Sequence, residues 1–106
     1  MENGEKLNRE IVRLADFDGQ TIEVDGIFEC GTQYPQFGLP LSDGKRIVFV
    51  YQNTNAGRVL EEHYDELVDL RYKLGVKVHG RGVYIESLTD GQPLAKPEGV
   101  QTRIAL

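Results

Sequence analysis

The chain has no tryptophan, one methionine and one cysteine, Cys30, among its 106 residues. A single cysteine excludes an internal disulfide framework. No apolar run approaches the roughly 20 residues that span a bilayer, so no membrane partner is expected. Histidine is scarce as well. His63 and His79 are the two in the chain, and a metal centre needs three or four converging ligands. Gly80-Arg81-Gly82 lacks both the spacing of a phosphate loop and the helix that should follow it. The first residues, Met1-Glu2-Asn3-Gly4-Glu5-Lys6, are polar and offer no secretory signal. With the lone thiol, they point to a reducing, cytoplasmic setting.

Basic charge is also in short supply. Lysine and arginine number 12 against 17 acids, a net charge of −5. Residues 1–29 hold three basic and eight acidic side chains, and residues 58–74 hold three and five. The stretches 30–57 and 75–106 each come to +1. Acidity therefore sits on the N-terminal part and on the segment before residue 75. A broad basic patch, which usually marks a nucleic-acid binder, is missing; a local one is the most this chain can offer.

What is present is a pattern that occurs twice. Ile22-Glu23-Val24-Asp25-Gly26 and Val76-Lys77-Val78-His79-Gly80 each alternate apolar with polar and then reach glycine. Period two marks a strand with one buried face, and a strand glycine marks a bend, bulge or close approach. The first strand is expected from Thr21 to Cys30, with Ile22, Val24, Gly26 and Phe28 on one face and Glu23, Asp25, Ile27 and Glu29 on the other. A second strand spans about 37–41, with Phe37, Leu39 and Leu41 inward and Pro40 confining it to an edge or bulge. Ser42-Asp43-Gly44-Lys45 is a hairpin signal, because Asp-Gly supplies positive φ, and a third strand follows at Arg46 to Tyr51.

A principal helix is expected over about 58–74, from the stripe Leu60, Tyr64, Leu67 and Leu74, with Asp69 and Lys73 paired at i, i+4 and Gly75 as its left-handed stop. A long strand then runs from Val76 towards Leu88. Its face changes parity at Gly80-Arg81-Gly82, as at a bulge. Residues 89–99 are expected as a loop and 100–106 as a last strand. Asn3 caps a possible first helix through Ala15; the competing reading there is a strand around Ile11 to Leu14. The whole chain, 1–106, reads as one domain, mainly β with one principal helix: an N-terminal extension or helix over 1–19, then a small barrel over 20–106.

This order, three strands, a helix and two strands, with Gly26 and Gly80 in place, resembles the OB-fold, the oligonucleotide- and oligosaccharide-binding barrel of five strands. The resemblance is one of topology and covers about residues 20–106. It implies ligand binding on the middle strands and between the loops at about 31–36 and 89–99. It carries no catalytic residues.

The residues themselves offer one candidate groove. Tyr34, Phe37 and Tyr51 with Lys45, Arg46, Lys77, Arg81 and Lys96 form an aromatic and cationic set suited to a single nucleic-acid strand. Bases stack on aromatic rings and cations follow the phosphates. Glu23, Asp25 and Glu29 argue against it, and they frame Ile27 as an exposed apolar contact for a protein partner. His63 reads as a packed helix-side residue, His79 as a surface one and Cys30 as a structural thiol. No catalytic motif, metal or cofactor is implied. The expectation is thus a non-enzymatic binding module for single-stranded DNA or RNA. The alternative is a protein-interaction or assembly module using the acidic strand and helix.

Overall fold

The computed structural model describes residues 9–94. They form a mainly β fold of two sheets around one core. In chain order the elements are β1 (Glu10–Val12), a 3-10 turn (Leu14–Phe17), β2 (Thr21–Asp25), β3 (Phe28–Cys30), β4 (Gln36–Pro40), β5 (Arg46–Tyr51), α1 (Asn55–Glu62), α2 (Tyr64–Leu67), β6 (Leu70–His79) and β7 (Gly82–Pro93). One sheet has the order β1-β5-β4-β3 and the other β2-β6-β7. β1 runs parallel to β5, and the other pairs are antiparallel.

Several local expectations hold. Asp43-Gly44 turns β4 into β5, with Gly44 at φ +74°. Asp43 secures that turn by accepting from the Lys45 backbone N–H at 2.7 Å and from Arg46 Nε at 2.8 Å. Phe37, Leu39 and Leu41 are all buried. Pro40 lies past the end of the β3 pairing, which stops at Gly38, so its missing N–H costs no ladder bond there.

The first strand is not continuous. Gly26, at φ +79°, breaks it into β2 and β3, and the parity of the faces flips. Ile27 is 4% exposed and Phe28 is 40% exposed, the reverse of the expectation from unbroken alternation. The break lets one stretch of chain serve both sheets: β2 pairs with β6, and β3 pairs with β4. The Gly26 N–H donates to the Leu70 carbonyl at 2.7 Å, and the Tyr72 hydroxyl donates to the Gly26 carbonyl at 2.7 Å. A Val24–Leu41 bridge also joins the sheets.

The principal helix is shorter than its stripe suggests. Thr54 caps α1 by accepting from the Gly57 N–H at 3.1 Å, and His63 interrupts the helix at φ −108°, ψ 13°. After α2 the chain becomes β6, so Leu70 to Leu74 is strand rather than helix. Leu67, Leu70 and Leu74 satisfy a helical spacing; Tyr72, Leu74 and Val76 satisfy period two equally well. Pairing with β2 and β7 decides the matter, since the stretch Arg71–Gly75 then lies between two strands, whose ladders take up its backbone groups on both sides. Lys73 is therefore cross-strand from Glu23 instead of one helical turn from Asp69. Gly75 is an interior strand residue facing Ser87 and caps nothing.

Two further readings are corrected. Residues 76–88 are not one bulged strand: Gly80, at φ +63°, turns β6 back into β7 with His79 opposite Gly82. The register irregularities fall instead between Arg71 and Lys73 and between Gly75 and Val76. Residues 89–93, expected as loop, belong to β7. At the N-terminal side, the described residues show strand β1 and a 3-10 turn where a helix through Ala15 was expected. Ile11 and Val12 are β-branched and find a free edge on β5, which a helix would have left unpaired. The expected last strand, 100–106, lies outside the described residues.

The core joins both sheets and the helices: Val24, Phe37, Leu39, Val48, Leu60, Tyr72, Leu74 and Val76 are all at most 1% exposed. Leu14 and Phe17 of the 3-10 turn belong to the same cluster. Among the described residues β7 is hydrogen-bonded to β6 alone, so no closed ring of strands is seen. No described helix is long and apolar enough to cross a membrane.

Candidate functional site

Two neighbouring cavities open where β5 ends and α1 begins. The larger, about 540 Å³, is lined by residues that include Arg13, Phe49, Tyr51, Arg58, Arg81 and Val83. The second, about 390 Å³, is lined by Tyr34, Pro35, Tyr51, Gln52, Asn53, Arg58 and Glu61. Tyr51, Asn53 and Arg58 belong to both, so the two form one groove with Tyr51 at its middle.

Local chemistry explains how the groove is held. The Gln52 N–H donates to the Pro35 carbonyl at 3.0 Å, and the Gln52 side-chain amide donates to the Gln36 carbonyl at 3.3 Å. These bonds tie the loop that carries Tyr34 to the strand end that carries Tyr51. The Thr54 hydroxyl donates to the Tyr51 carbonyl at 2.7 Å while capping α1. Gly57 brings the helix close: a Cβ there would collide with the Tyr51 carbonyl oxygen and with Gln52 backbone atoms 2.8 Å away. Arg58, the next residue, is thereby set beside Tyr51. Arg81 arrives from the Gly80 turn on the other sheet, and Arg13 from the end of β1.

The larger section of the groove gathers arginines in an acidic protein. Its lining has three arginines and no carboxylate. Most other described arginines are engaged elsewhere. Arg9 donates to two backbone carbonyls, Arg46 is bound to Asp43 and lies over the Phe17 ring at 5.5 Å, and Arg71 is bound to Asp25. Arg13 is 3.6 Å from Asp16 in a solvent-facing pair. Arg58 and Arg81 have no side-chain partner among the described residues, and both face the same groove. Tyr34 is 63% exposed and Tyr51 51% exposed. Large aromatic rings left this open, next to unpaired guanidinium groups, can stack on a flat ligand and bind its anions.

Of the eight residues expected to form a groove, the structure sets Tyr51 between two others: it shares the larger cavity with Arg81 and the smaller with Tyr34. Phe37 is core, 1% exposed and packed on Tyr64 with ring centroids 5.5 Å apart. Lys45 and Arg46 lie in and after the β4–β5 turn, Lys77 stands on β6 opposite Tyr84, and Lys96 lies outside the described residues. Arg13, Phe49 and Arg58 were missed. Arg58 had a legible signal: it sits four residues after Thr54, a helix-capping type, and so in the first turn beside the chain it follows.

On the acidic face of β2 the two carboxylates have partners of their own. Asp25 accepts from Arg71 at 2.6 and 3.0 Å, and Glu23 accepts from the Ser42 hydroxyl at 2.9 Å. Ile27, expected among these acids as an exposed contact, is buried. Burial pushes the Cys30 thiol up from its ordinary pKa, which disfavours the nucleophilic thiolate. His63 lies 3.3 Å from Glu66. Among the described residues no three His, Cys, Asp or Glu side chains gather as a metal site would need.

Comparison with family models, with curated proteins and with solved structures returns no match.

Proposed function

We propose that this chain is a small, non-enzymatic OB-like module that holds a single strand of DNA or RNA in the groove around Tyr51. The observation that carries the reading is the convergence of Arg58 and Arg81 with two exposed tyrosines, while most other described arginines are committed elsewhere. The strand plan supports it. The β2–β3 stretch is shared between β4 and β6, and the helices fall between β5 and β6, as in an OB barrel's connectivity. The groove then lies in the opening between β5 and β7, with the β1 end and 3-10 turn across it. A reducing, cytoplasmic setting suits the free thiol of Cys30. The strand half of the protein-interaction alternative is weakened, because Ile27 is buried and Asp25 is already paired, while the exposed carboxylates of the helices keep that alternative as the second reading.

Net charge −5 opposes long-range attraction of a polyanion, so short contacts must supply the affinity. Fluorescence anisotropy with labelled strands of about 10–20 nucleotides tests this. Tyr51→Ala should cost about 1–3 kcal/mol of binding through lost stacking. Arg58→Ala and Arg81→Ala should each weaken every sequence and flatten the log–log salt slope by about 0.7. Lys77→Ala should leave both unchanged. Equal effects of Lys77→Ala and Arg81→Ala would remove the groove from the account.

A further inference from the structure

The groove is not uniform. Its larger section holds arginines alone as charged lining, whereas the section between Tyr34 and Tyr51 holds Glu61 beside Arg58. These two are one helical turn apart on α1, yet they form no ion pair, and Glu61 has no side-chain partner among the described residues. A carboxylate beside two exposed rings repels phosphate, so the backbone of a strand belongs in the arginine section. Glu61 lines the same cavity as the two tyrosines, within the space a base stacked on them would share.

We infer that Glu61 is a specificity-determining residue that selects a base bearing an amino group at this position, a conclusion that rests on the groove being a nucleic-acid site. An ionised carboxylate only accepts hydrogen bonds. Cytosine, adenine and guanine each offer an exocyclic amino donor. Uracil and thymine flank their one ring N–H with carbonyl oxygens, which a carboxylate repels. Cytosine against uracil is the cleanest contrast. The rings are the same size and differ only at the edge that Glu61 would read, so stacking on the tyrosines changes little.

The experiment measures anisotropy of the full chain with a deoxyuridine oligonucleotide of about 12 residues and with the same strand carrying one central cytosine. The cytosine strand should bind at least about fivefold more tightly, the low end of what a matched base-edge contact supplies. Glu61→Gln should tighten the deoxyuridine strand and erase the preference, because an amide both donates and accepts and carries no charge. Binding of both strands without a preference, or a preference that survives Glu61→Gln, would overturn the role of Glu61 and leave the groove reading standing. Failure of both proteins to bind either strand would overturn the groove reading, and the role of Glu61 with it.

Discussion

Removing one oxygen atom from the core tests how the two sheets are joined. The Tyr72 hydroxyl donates to the Gly26 carbonyl at 2.7 Å, at the point where β2 breaks from β3. Tyr72 is 1% exposed, and Gly26 is buried too. Tyr72→Phe keeps the ring and its packing but leaves that carbonyl without its side-chain donor. A buried acceptor stripped of its partner costs about 1–3 kcal/mol, more than the net value of an ordinary hydrogen bond. A second consequence concerns pH. Burial, aided by the Asp25 charge, raises the Tyr72 pKa well above its ordinary value. The folded protein thus holds this proton more tightly than the unfolded chain does. That stability is fully present below the unfolded pKa of about 10 and declines above it by about 1.4 kcal/mol per pH unit. Urea melts of both proteins at neutral pH, and again between about pH 9 and 11, give both quantities. The variant should start lower and lose less with alkali. A neutral-pH difference below about 0.5 kcal/mol, or parallel alkaline losses, would refute the hydrogen bond as a structural tie.

Three more outcomes follow from the packing and charge. Leu60→Ala should cost about 2–5 kcal/mol, because Leu60 is fully buried, whereas Glu62→Ala on the exposed face of α1 should stay within about 0.5 kcal/mol; denaturant melts compare them. Gly57→Ala should destabilise by about 1–3 kcal/mol and weaken oligonucleotide binding, although helix propensity alone would favour alanine; a stabilised variant would show that α1 does not press on the Tyr51 carbonyl. The Lys45 N–H and the Arg46 side chain hold the Asp43 carboxyl down at about 2. The stability it contributes is present above the unfolded value of about 3.9 and lost as pH falls towards 2. The pair is exposed, so the effect is small. Thermal melts of Asp43→Asn should lack this acid-limb component.

Short-range chemistry was readable from the chain alone. Asp43-Gly44 specified its turn because positive φ is a local cost that glycine removes. Phe37, Leu39 and Leu41 announced a buried strand face, and Leu60 and Leu67 a buried helix face, because burial needs only a periodic apolar surface. Tyr34, Tyr51 and Arg81 could be picked by residue type. Wherever two periods fit the same residues, tertiary structure decided. Leu67, Leu70 and Leu74 suit a helix, but β2 and β7 offer that backbone two ladders, and the chain after Leu67 becomes strand. Gly26 announced a bend, yet whether alternation resumed in phase depended on which sheet each half joined, and that choice buried Ile27 and exposed Phe28. The groove itself was beyond local reading. Which arginines are free depends on which carboxylates fold up against the others, over separations as long as that of Asp25 and Arg71. Arg13, Arg58 and Arg81 meet at Tyr51 only because the sheets and α1 bring three distant segments to one opening. Electrostatic pairing acts through space, so its outcome is a property of the folded chain.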